Sequence, residues 1–296
     1  MSSTRHLLRE RFHQEDIIVA PGAYDALSAK LIEEAGFPAV YVSGAAVSAS
    51  LLGAPDVGLL TLSEMLAHAQ RIVHAVRLPV IVDADTGYGN AINVIRTVRE
   101  FERIGVAAIH LEDQTFPKRC GHLEGKHVIP MSEMIGKIQA AVYARTDPDF
   151  LLIARTDARS VYGLDEAIRR GRAYFEAGAD VIFIEAPEGD EEIVRIAESL
   201  KDVPLLINLG GSGKTPMLPV QRLKALGYKI AIYPGDLQKA AIKTMREVLA
   251  HLKEKGDVTE IASRMVTFEE RFQLLGLDEI RRLEERFLKE GGDDQS

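Results

Sequence analysis

VIVDADTGYGNAINVIRTVREFERIGVAAIHLE, residues 80–112, decides the fold class of this chain. Its first residues, 80–82, are apolar and β-branched, which predicts a strand, and the polar, glycine-containing stretch after them predicts a turn. Residues 91–104 have helical periodicity, and residues 107–111 form a second apolar run. Strands that are apolar at nearly every position are typical of a parallel sheet covered on both faces. The stretch therefore predicts one β/α/β unit.

The same alternation of strand and helix recurs along the whole chain. We predict strands at 17–19, 39–42, 80–82, 107–111, 150–154, 181–184, 205–207 and 230–232. We predict helices at 26–35, 61–76, 91–104, 131–145, 164–177, 191–200, 219–226 and 237–255, and a charged helical segment at 259–287. Eight such units in an α/β chain favour a closed (β/α)8 barrel of the TIM type over a doubly wound sheet. We assign 1–255 to the catalytic barrel and 256–296 to a helical extension of the same domain or of a subunit interface.

Composition excludes several classes of function. With 296 residues, a net charge of −8 and a pI of about 5.6, the chain has no basic field for nucleic acid or an anionic membrane. No apolar run reaches transmembrane length, and the first residues lack a signal-peptide core. A single cysteine excludes an intramolecular disulfide and fits a reducing compartment. We expect a cytoplasmic protein.

Polar side chains follow six of the predicted strands, at the barrel face where enzymes of this fold keep their active sites. They are Ser43 and Gly44, Asp83 and Asp85, Glu112 and Asp113, Arg155 and Asp157, Glu185, and Asn208. One acid at a strand end often only caps the next helix. Six strand ends with such groups favour an active site.

Three carboxylates, those of Asp83, Asp85 and Glu112, follow neighbouring strands, and oxygen donors of this kind suit Mg²⁺ or Mn²⁺. For Asp85 alone, an Asx turn into the following glycine is the alternative. His110 fits a buried structural role as well as ligand contact. The glycine-rich NLGGSGKTP, residues 208–216, lacks the spacing of a phosphate-binding P-loop, so we predict no nucleotide site there.

The loop after the fourth strand, LEDQTFPKRCGHLEGK at 111–126, contains Cys120 and His122. Its glycines and its proline suit a loop more than a strand or helix. A lone cysteine in a loop is often incidental. Because this loop leaves the barrel face that gathers the other polar groups, we expect a catalytic thiol.

Within that loop, KRCGH at 118–122 resembles the signature of the isocitrate lyase and phosphoenolpyruvate mutase superfamily. Similar segments occur in the family's order: VSGAA at 42–46, PD at 55–56, DADTGYG at 83–89, LEDQ at 111–114, ARTDA at 154–158 and YPGDL at 233–237. The resemblance implies a (β/α)8 barrel with one Mg²⁺ per subunit. It also implies that the last helices swap between subunits of a homodimer or homotetramer.

The resemblance also implies roles for individual residues. Asp83 and Asp85 would hold Mg²⁺, with Asp56 and Glu112 contributing largely through water. The 2-oxoacid carboxylate would be bound by Ser43, Gly44 and Ala45, and the pocket would be lined by Glu185, Asn208, Gly121 and His122. Arg155 would hold the developing oxyanion, and Cys120, in a gating loop over about 115–126, would protonate the departing carbanion. Tyr41 or a metal-linked carboxylate would be the base.

Members of this superfamily that have the loop cysteine are similar to lyases that cleave a carbon–carbon bond of a substituted malate, such as 2-methylisocitrate or 2,3-dimethylmalate. The expected products are a 2-oxoacid such as pyruvate and a carboxylic acid. Two other reactions stay open, since such enzymes share the metal residues: a phosphonomutase of the carboxyphosphonoenolpyruvate type, and an oxaloacetate-type decarboxylase.

Overall fold

Eight parallel strands close into a barrel in sequence order, with β8 hydrogen-bonded to β1, in the computed structural model of residues 3–14, 16–121, 123–210 and 215–288. The strands are β1 Ile18–Ala23, β2 Val40–Val42, β3 Val80–Asp83, β4 Ala108–Glu112, β5 Leu151–Thr156, β6 Val181–Ile184, β7 Leu205–Asn208 and β8 Tyr228–Tyr233. The predicted closed barrel is confirmed.

One helix precedes β1 along the chain, and at least one helix follows each strand. The helices are α1 Thr4–His13, α2 Ala26–Glu34, α3 Gly44–Val47, α4 Leu62–Ala75, α5 Ala91–Arg103, α6 Met131–Ala144, α7 Ala158–Tyr162, α8 Leu164–Glu176, α9 Asp190–Ser199, α10 Val220–Ala225, α11 Asp236–Lys255, α12 Phe268–Leu274 and α13 Leu277–Phe287. Thr61 is the N-cap of α4, in a reciprocal capping box with Glu64. No helix among the described residues is long and apolar enough to cross a membrane.

Several features differ from the sequence prediction, among them the short helix α7, which was not predicted. The polar helix α1 was not predicted, because only Leu8 and Phe12 of it are buried. Both side chains pack with the apolar residues that fill the barrel interior, and Arg5 donates to the carbonyl of Val106, just before β4. Helix α1 therefore closes the end of the barrel away from the strand carboxyl ends. The small-residue stretch 43–59, between the predicted strand at 39–42 and the predicted helix at 61–76, contains α3 and a π-helical turn at Ser48–Leu52.

Alternation along the strands decides which side chains point into the barrel. The interior core contains Tyr41, Ile81, Ala108, Ile153, Phe183, Leu206 and Ile232. Successive residues of a strand face opposite sides, so the residue two positions further on shares the same side. That residue is Ser43, Asp83, His110, Arg155, Glu185, Asn208 and Pro234 in turn. The predicted polar residues thus form the top layer of the barrel interior.

The chain divides into two compact units, 1–239 and 240–296. Within the second unit Arg264 pairs with Glu247, and α12 and α13 follow one another closely. None of the described residues of α11, α12 or α13 is buried, and Ile242, Leu249 and Leu252 are exposed. The boundary at residue 255 and the packing of these helices against a partner subunit stay predictions.

Candidate active site

A cavity of about 210 Å³ opens at the carboxyl ends of the strands. Among the residues that line it are most of those predicted from the sequence: Tyr41, Ser43, Ala45, Asp56, Asp83, Cys120, Gly121, Arg155, Glu185 and Asn208. Gly44, Asp85 and Glu112 are buried next to this lining, and His122 lies outside the described residues. The structure therefore brings the described candidates to one mouth of the barrel.

Asp83 organises the backbone around the end of β3. Its Oδ1 accepts a hydrogen bond from the amide of Asp85 at 2.9 Å, and its Oδ2 accepts one from the amide of Gly44 at 3.1 Å. An Asx-type turn is thus present, with Asp83 as its acceptor rather than Asp85. A Cβ on Gly44 would lie 2.9 Å from Asp83 Oδ2, so only glycine lets the backbone approach this closely. The Gly44 amide, predicted to bind substrate, is bonded to Asp83 here.

Lys118 lies buried between two of the predicted metal ligands. Its Nζ is 2.6 and 2.7 Å from the carboxylate oxygens of Asp56 and 2.8 Å from Asp85 Oδ1. Burial lowers the pKa of this lysine, but the surrounding carboxylates raise it by more. The net effect is a pKa well above the usual value, so the lysine stays charged. Within the described part of the chain no three His, Cys, Asp or Glu side chains are arranged as a metal site. An ammonium group occupies the centre of the acidic cluster.

The acidic cluster nevertheless fits a divalent cation chemically. Both carboxylate oxygens of Glu112 are buried without a hydrogen-bond partner among the described residues, and Oδ1 of Asp85 has only the Lys118 ammonium group beside it. Burial raises the pKa of Asp85 to about 7 and that of Glu112 well above its usual range. Buried oxygen donors that lack compensation are the donors that Mg²⁺ and Mn²⁺ take.

Arg155 is held rigidly at the end of β5. Its Nε and Nη2 donate to the two carboxylate oxygens of Asp157 at 2.9 and 3.1 Å. Its Nη1 lies 3.4 Å from Glu112, and its guanidinium stacks over Phe183 at 5.3 Å. Bidentate pairing fixes the plane of a guanidinium. The arrangement presents a preorganised, permanently charged donor to the cavity.

The cysteine loop is closed over the cavity. The amide of Cys120 donates to the carbonyl of Asp56 at 3.1 Å, and a Cβ on Gly121 would lie 2.4 Å from Glu185 Oε1. Lys126, also buried, donates to Asp157 Oδ1 at 2.8 Å and to the carbonyl of Gly121. Two buried lysines of the loop, one on each side of the cysteine, therefore tie it to the barrel.

Tyr41 and His110 form a buried pair at the floor of the cavity. The Tyr41 hydroxyl is 2.7 Å from His110 Nε2, which is 3.4 Å from Asp83 Oδ1. Burial lowers the pKa of His110 to about 4 and raises that of Tyr41 well above its usual value. Tyr41 and the carboxylates of the cavity both stay candidates for the base.

Sequence reasoning did not predict the contacts of Lys118 and Lys126 with buried acids, nor any place in the cavity for Gln238 and Lys239. The two loop lysines contact residues 31 and 62 positions away, which no local pattern reveals. Gln238 and Lys239 line the cavity from the start of α11, although that helix was predicted to serve assembly. Their only sequence signal is their position shortly after the last strand.

Comparison with known proteins agrees with this geometry. Residues 8–253 match the family model described as phosphoenolpyruvate phosphomutase. The chain is 51% identical to 2,3-dimethylmalate lyase of Eubacterium barkeri, over 96% of this chain and 98% of that protein. It is 49% identical to 2-methylisocitrate lyase of Aeropyrum pernix, over 91% and 86%. A crystal structure of 2,3-dimethylmalate lyase, described as a PEP mutase/isocitrate lyase superfamily member, superposes with a TM-score of 0.92 at 38% identity, covering 100% and 99% of the two chains.

Proposed function

This chain belongs to the phosphoenolpyruvate phosphomutase family, and from that premise we propose that it is a carbon–carbon lyase that cleaves a substituted malate. The proposed products are a 2-oxoacid, such as pyruvate, and a carboxylic acid. One observation carries the proposal: the loop cysteine, Arg155 and a cluster of buried carboxylates meet at one small cavity. Both curated relatives described above are named lyases, which supports the same reaction class.

The reaction requires a base, an anchor for the 2-hydroxyacid end and an acid. Tyr41 or a carboxylate of the cavity takes the proton of the substrate hydroxyl, and the electrons of the C2–C3 bond pass to the departing carboxylate fragment as an enolate. Arg155 stabilises the oxygen of the new 2-oxoacid through a charged hydrogen bond. The Cys120 thiol gives its proton to the carbanion carbon and regains one from solvent after product release.

We propose Mg²⁺, or Mn²⁺ in its place, as the cofactor. When bound, such an ion lowers the pKa of the substrate hydroxyl and stabilises the charge of the 2-oxoacid. Asp83 and Asp85 would hold it, and Asp56 and Glu112 would contribute largely through water. Lys118, which now contacts both Asp56 and Asp85, would share these carboxylates with the ion.

Substrate contacts follow from the lining of the cavity. Ser43 and Ala45, at the start of α3, would bind the carboxylate next to the hydroxyl, with Gly44 shaping the close approach to Asp83. Glu185, Asn208 and Gly121 would enclose the rest of the molecule, and His122 would join them from the loop. Closing the loop would exclude water from the carbanion.

We propose that the protein acts in the cytoplasm as a homodimer or homotetramer. The exposed apolar residues of the second unit, Ile242, Leu249 and Leu252, support assembly. Apolar residues repeated along one helix are unfavourable in water and are typical of an interface.

The test is the release of 2-oxoacid from 2,3-dimethylmalate and from 2-methylisocitrate, with Mg²⁺ and with excess EDTA. We expect Mg²⁺-dependent pyruvate from at least one of them. Parallel assays with oxaloacetate and with a phosphonate substrate examine the decarboxylase and phosphonomutase alternatives. Turnover of either alternative substrate in place of both malates would refute the lyase proposal.

A further inference from the structure

The carboxylates around the inner part of the cavity outnumber the cations there. The described carboxylates are Asp56, Asp83, Asp85, Glu112, Asp157 and Glu185, and the described cations are Lys118, Lys126 and Arg155. Each of these cations is already paired with at least one of the acids. A substrate with several carboxylates therefore needs a further cation at the place where its outer end lies.

Lys239 is a cation of that kind. It lines the cavity from the first turns of α11, and its side chain is 51% exposed. Its Nζ lies 3.5 Å from Asp236 Oδ1, at the limit of hydrogen-bond distance, so this pairing is loose. Next to it in sequence, Gln238 donates to the carbonyl of Ala46 at 2.9 Å, which fixes the start of the helix against the mouth of the barrel.

The position of Lys239 in the barrel gives the direction of the substrate. A Cβ on Gly210 or on Gly235 would lie 3.8 Å from its Nζ, which places the ammonium group at the ends of β7 and β8. In a closed barrel of eight strands in sequence order, these two strands lie across the mouth from β3 and β4. The acidic cluster, with Asp83 and Glu112, stands at β3 and β4. A substrate whose hydroxyacid end is held there extends its other end toward Lys239.

The cleavage reaction places the carboxylates of such a substrate at different depths of the cavity. The carbon that accepts the proton has to lie next to Cys120, so a carboxylate attached directly to it stays inside the cavity, near Arg155. A longer arm on that carbon would extend away from Arg155, toward the rim at β7 and β8. We propose, resting on the proposed lyase function, that Lys239 binds a terminal carboxylate on the departing fragment. The substrate class is then a hydroxytricarboxylate such as 2-methylisocitrate, whose departing fragment is succinate, in preference to a dialkylmalate.

The experiment compares two substrates in three proteins: wild type, Lys239→Met, and Lys224→Met as a matched control. Lys224 lies on α10 and pairs with Asp16, ahead of β1, so its replacement removes the same charge away from the cavity. For 2-methylisocitrate, Lys239→Met should raise KM about 10- to 100-fold, the size of a lost charge-assisted hydrogen bond, with kcat changed far less. For 2,3-dimethylmalate, KM should change less than about threefold, because no group of that substrate reaches the lysine. Lys224→Met should resemble wild type with both.

A binding measurement gives a second readout that needs no turnover. By calorimetry, succinate should bind wild type more tightly than propionate does, and this difference should disappear in Lys239→Met. A wild type that cleaves 2,3-dimethylmalate but not 2-methylisocitrate overturns the role of Lys239 and leaves the lyase function standing. Equal effects of Lys239→Met on both substrates, or none on either, also overturn it. A wild type that cleaves neither substrate refutes the lyase function, and equal binding of succinate and propionate then refutes the subsite as well.

Discussion

Replacing Lys126 with methionine should open the cysteine loop without unfolding the barrel. The Lys126 ammonium group contacts Asp157 Oδ1 at 2.8 Å and the carbonyl of Gly121, and its side chain is only 2% exposed. Removing one partner of a buried ion pair costs about 3–5 kcal/mol when the other charge is left uncompensated. Asp157 keeps its bidentate bond to Arg155, so the loss should be smaller, about 1–3 kcal/mol. Because Lys126 belongs to the loop, that loss falls on the closed state of the loop.

Such a loss corresponds to a fall of about 5- to 150-fold in the ratio of closed to open loop. Cys120 is the only cysteine of the chain, so the rate of thiol alkylation reports loop opening at one defined site. We expect faster alkylation in Lys126→Met when the wild-type loop is mostly closed, and a raised KM. The melting temperature should change little, because the loop opens locally.

The control is Lys137→Met, which removes another buried lysine. Its Nζ donates to the carbonyl of Thr86 at 3.0 Å, a contact within the barrel that does not involve the cysteine loop. This variant should lower thermal stability and leave the alkylation rate of the folded protein unchanged. An unchanged alkylation rate in Lys126→Met, or an equal increase in both variants, would refute the reasoning.

Three further predictions concern the metal, the acid and the assembly. Asp85→Ala should abolish turnover and weaken Mg²⁺ binding in calorimetry while the circular dichroism spectrum stays that of wild type; full turnover in excess EDTA would contradict the metal site. Cys120→Ser should lower kcat by about 10²- to 10⁴-fold, the usual contribution of a general acid, with Mg²⁺ affinity retained; near-full lyase activity would leave the thiol a structural role. Leu249→Asp should shift the protein toward smaller species in sedimentation velocity, because an exposed apolar residue of α11 would bring a charge into the proposed interface; a wild type that is monomeric at micromolar concentration would refute that interface.

The sequence predicted the barrel because its strands are short, apolar and regularly separated by helices. It placed the ends of β3, β4 and β5 one or two residues too early, since Asp83, Glu112 and Arg155 are polar and were assigned to loops. In the structure these residues belong to the strands, where polar side chains at the top of a barrel interior do not interrupt the ladder. Polarity alone cannot distinguish a strand residue that points into a functional cavity from the first residue of a loop.

The contacts that close the cysteine loop were beyond prediction for a different reason. Lysine is usually found at the protein surface. Lys118 and Lys126 are nevertheless buried against acids from other parts of the chain. Long-range ion pairs depend on how the loop folds back over the barrel, which neither periodicity nor turn chemistry describes. The acids themselves were predictable, because strand ends lie at fixed places in a closed barrel.

The layering of the barrel interior has a consequence for how this protein can change over evolution. The apolar layers below, closed by α1 at the far end, hold the strands together, while the polar side chains of the top layer come from the ends of six strands, β2 to β7. A substitution in the top layer leaves the apolar layers packed as before. New substrate specificities can therefore arise by substitutions at one strand end at a time, while the fold stays stable.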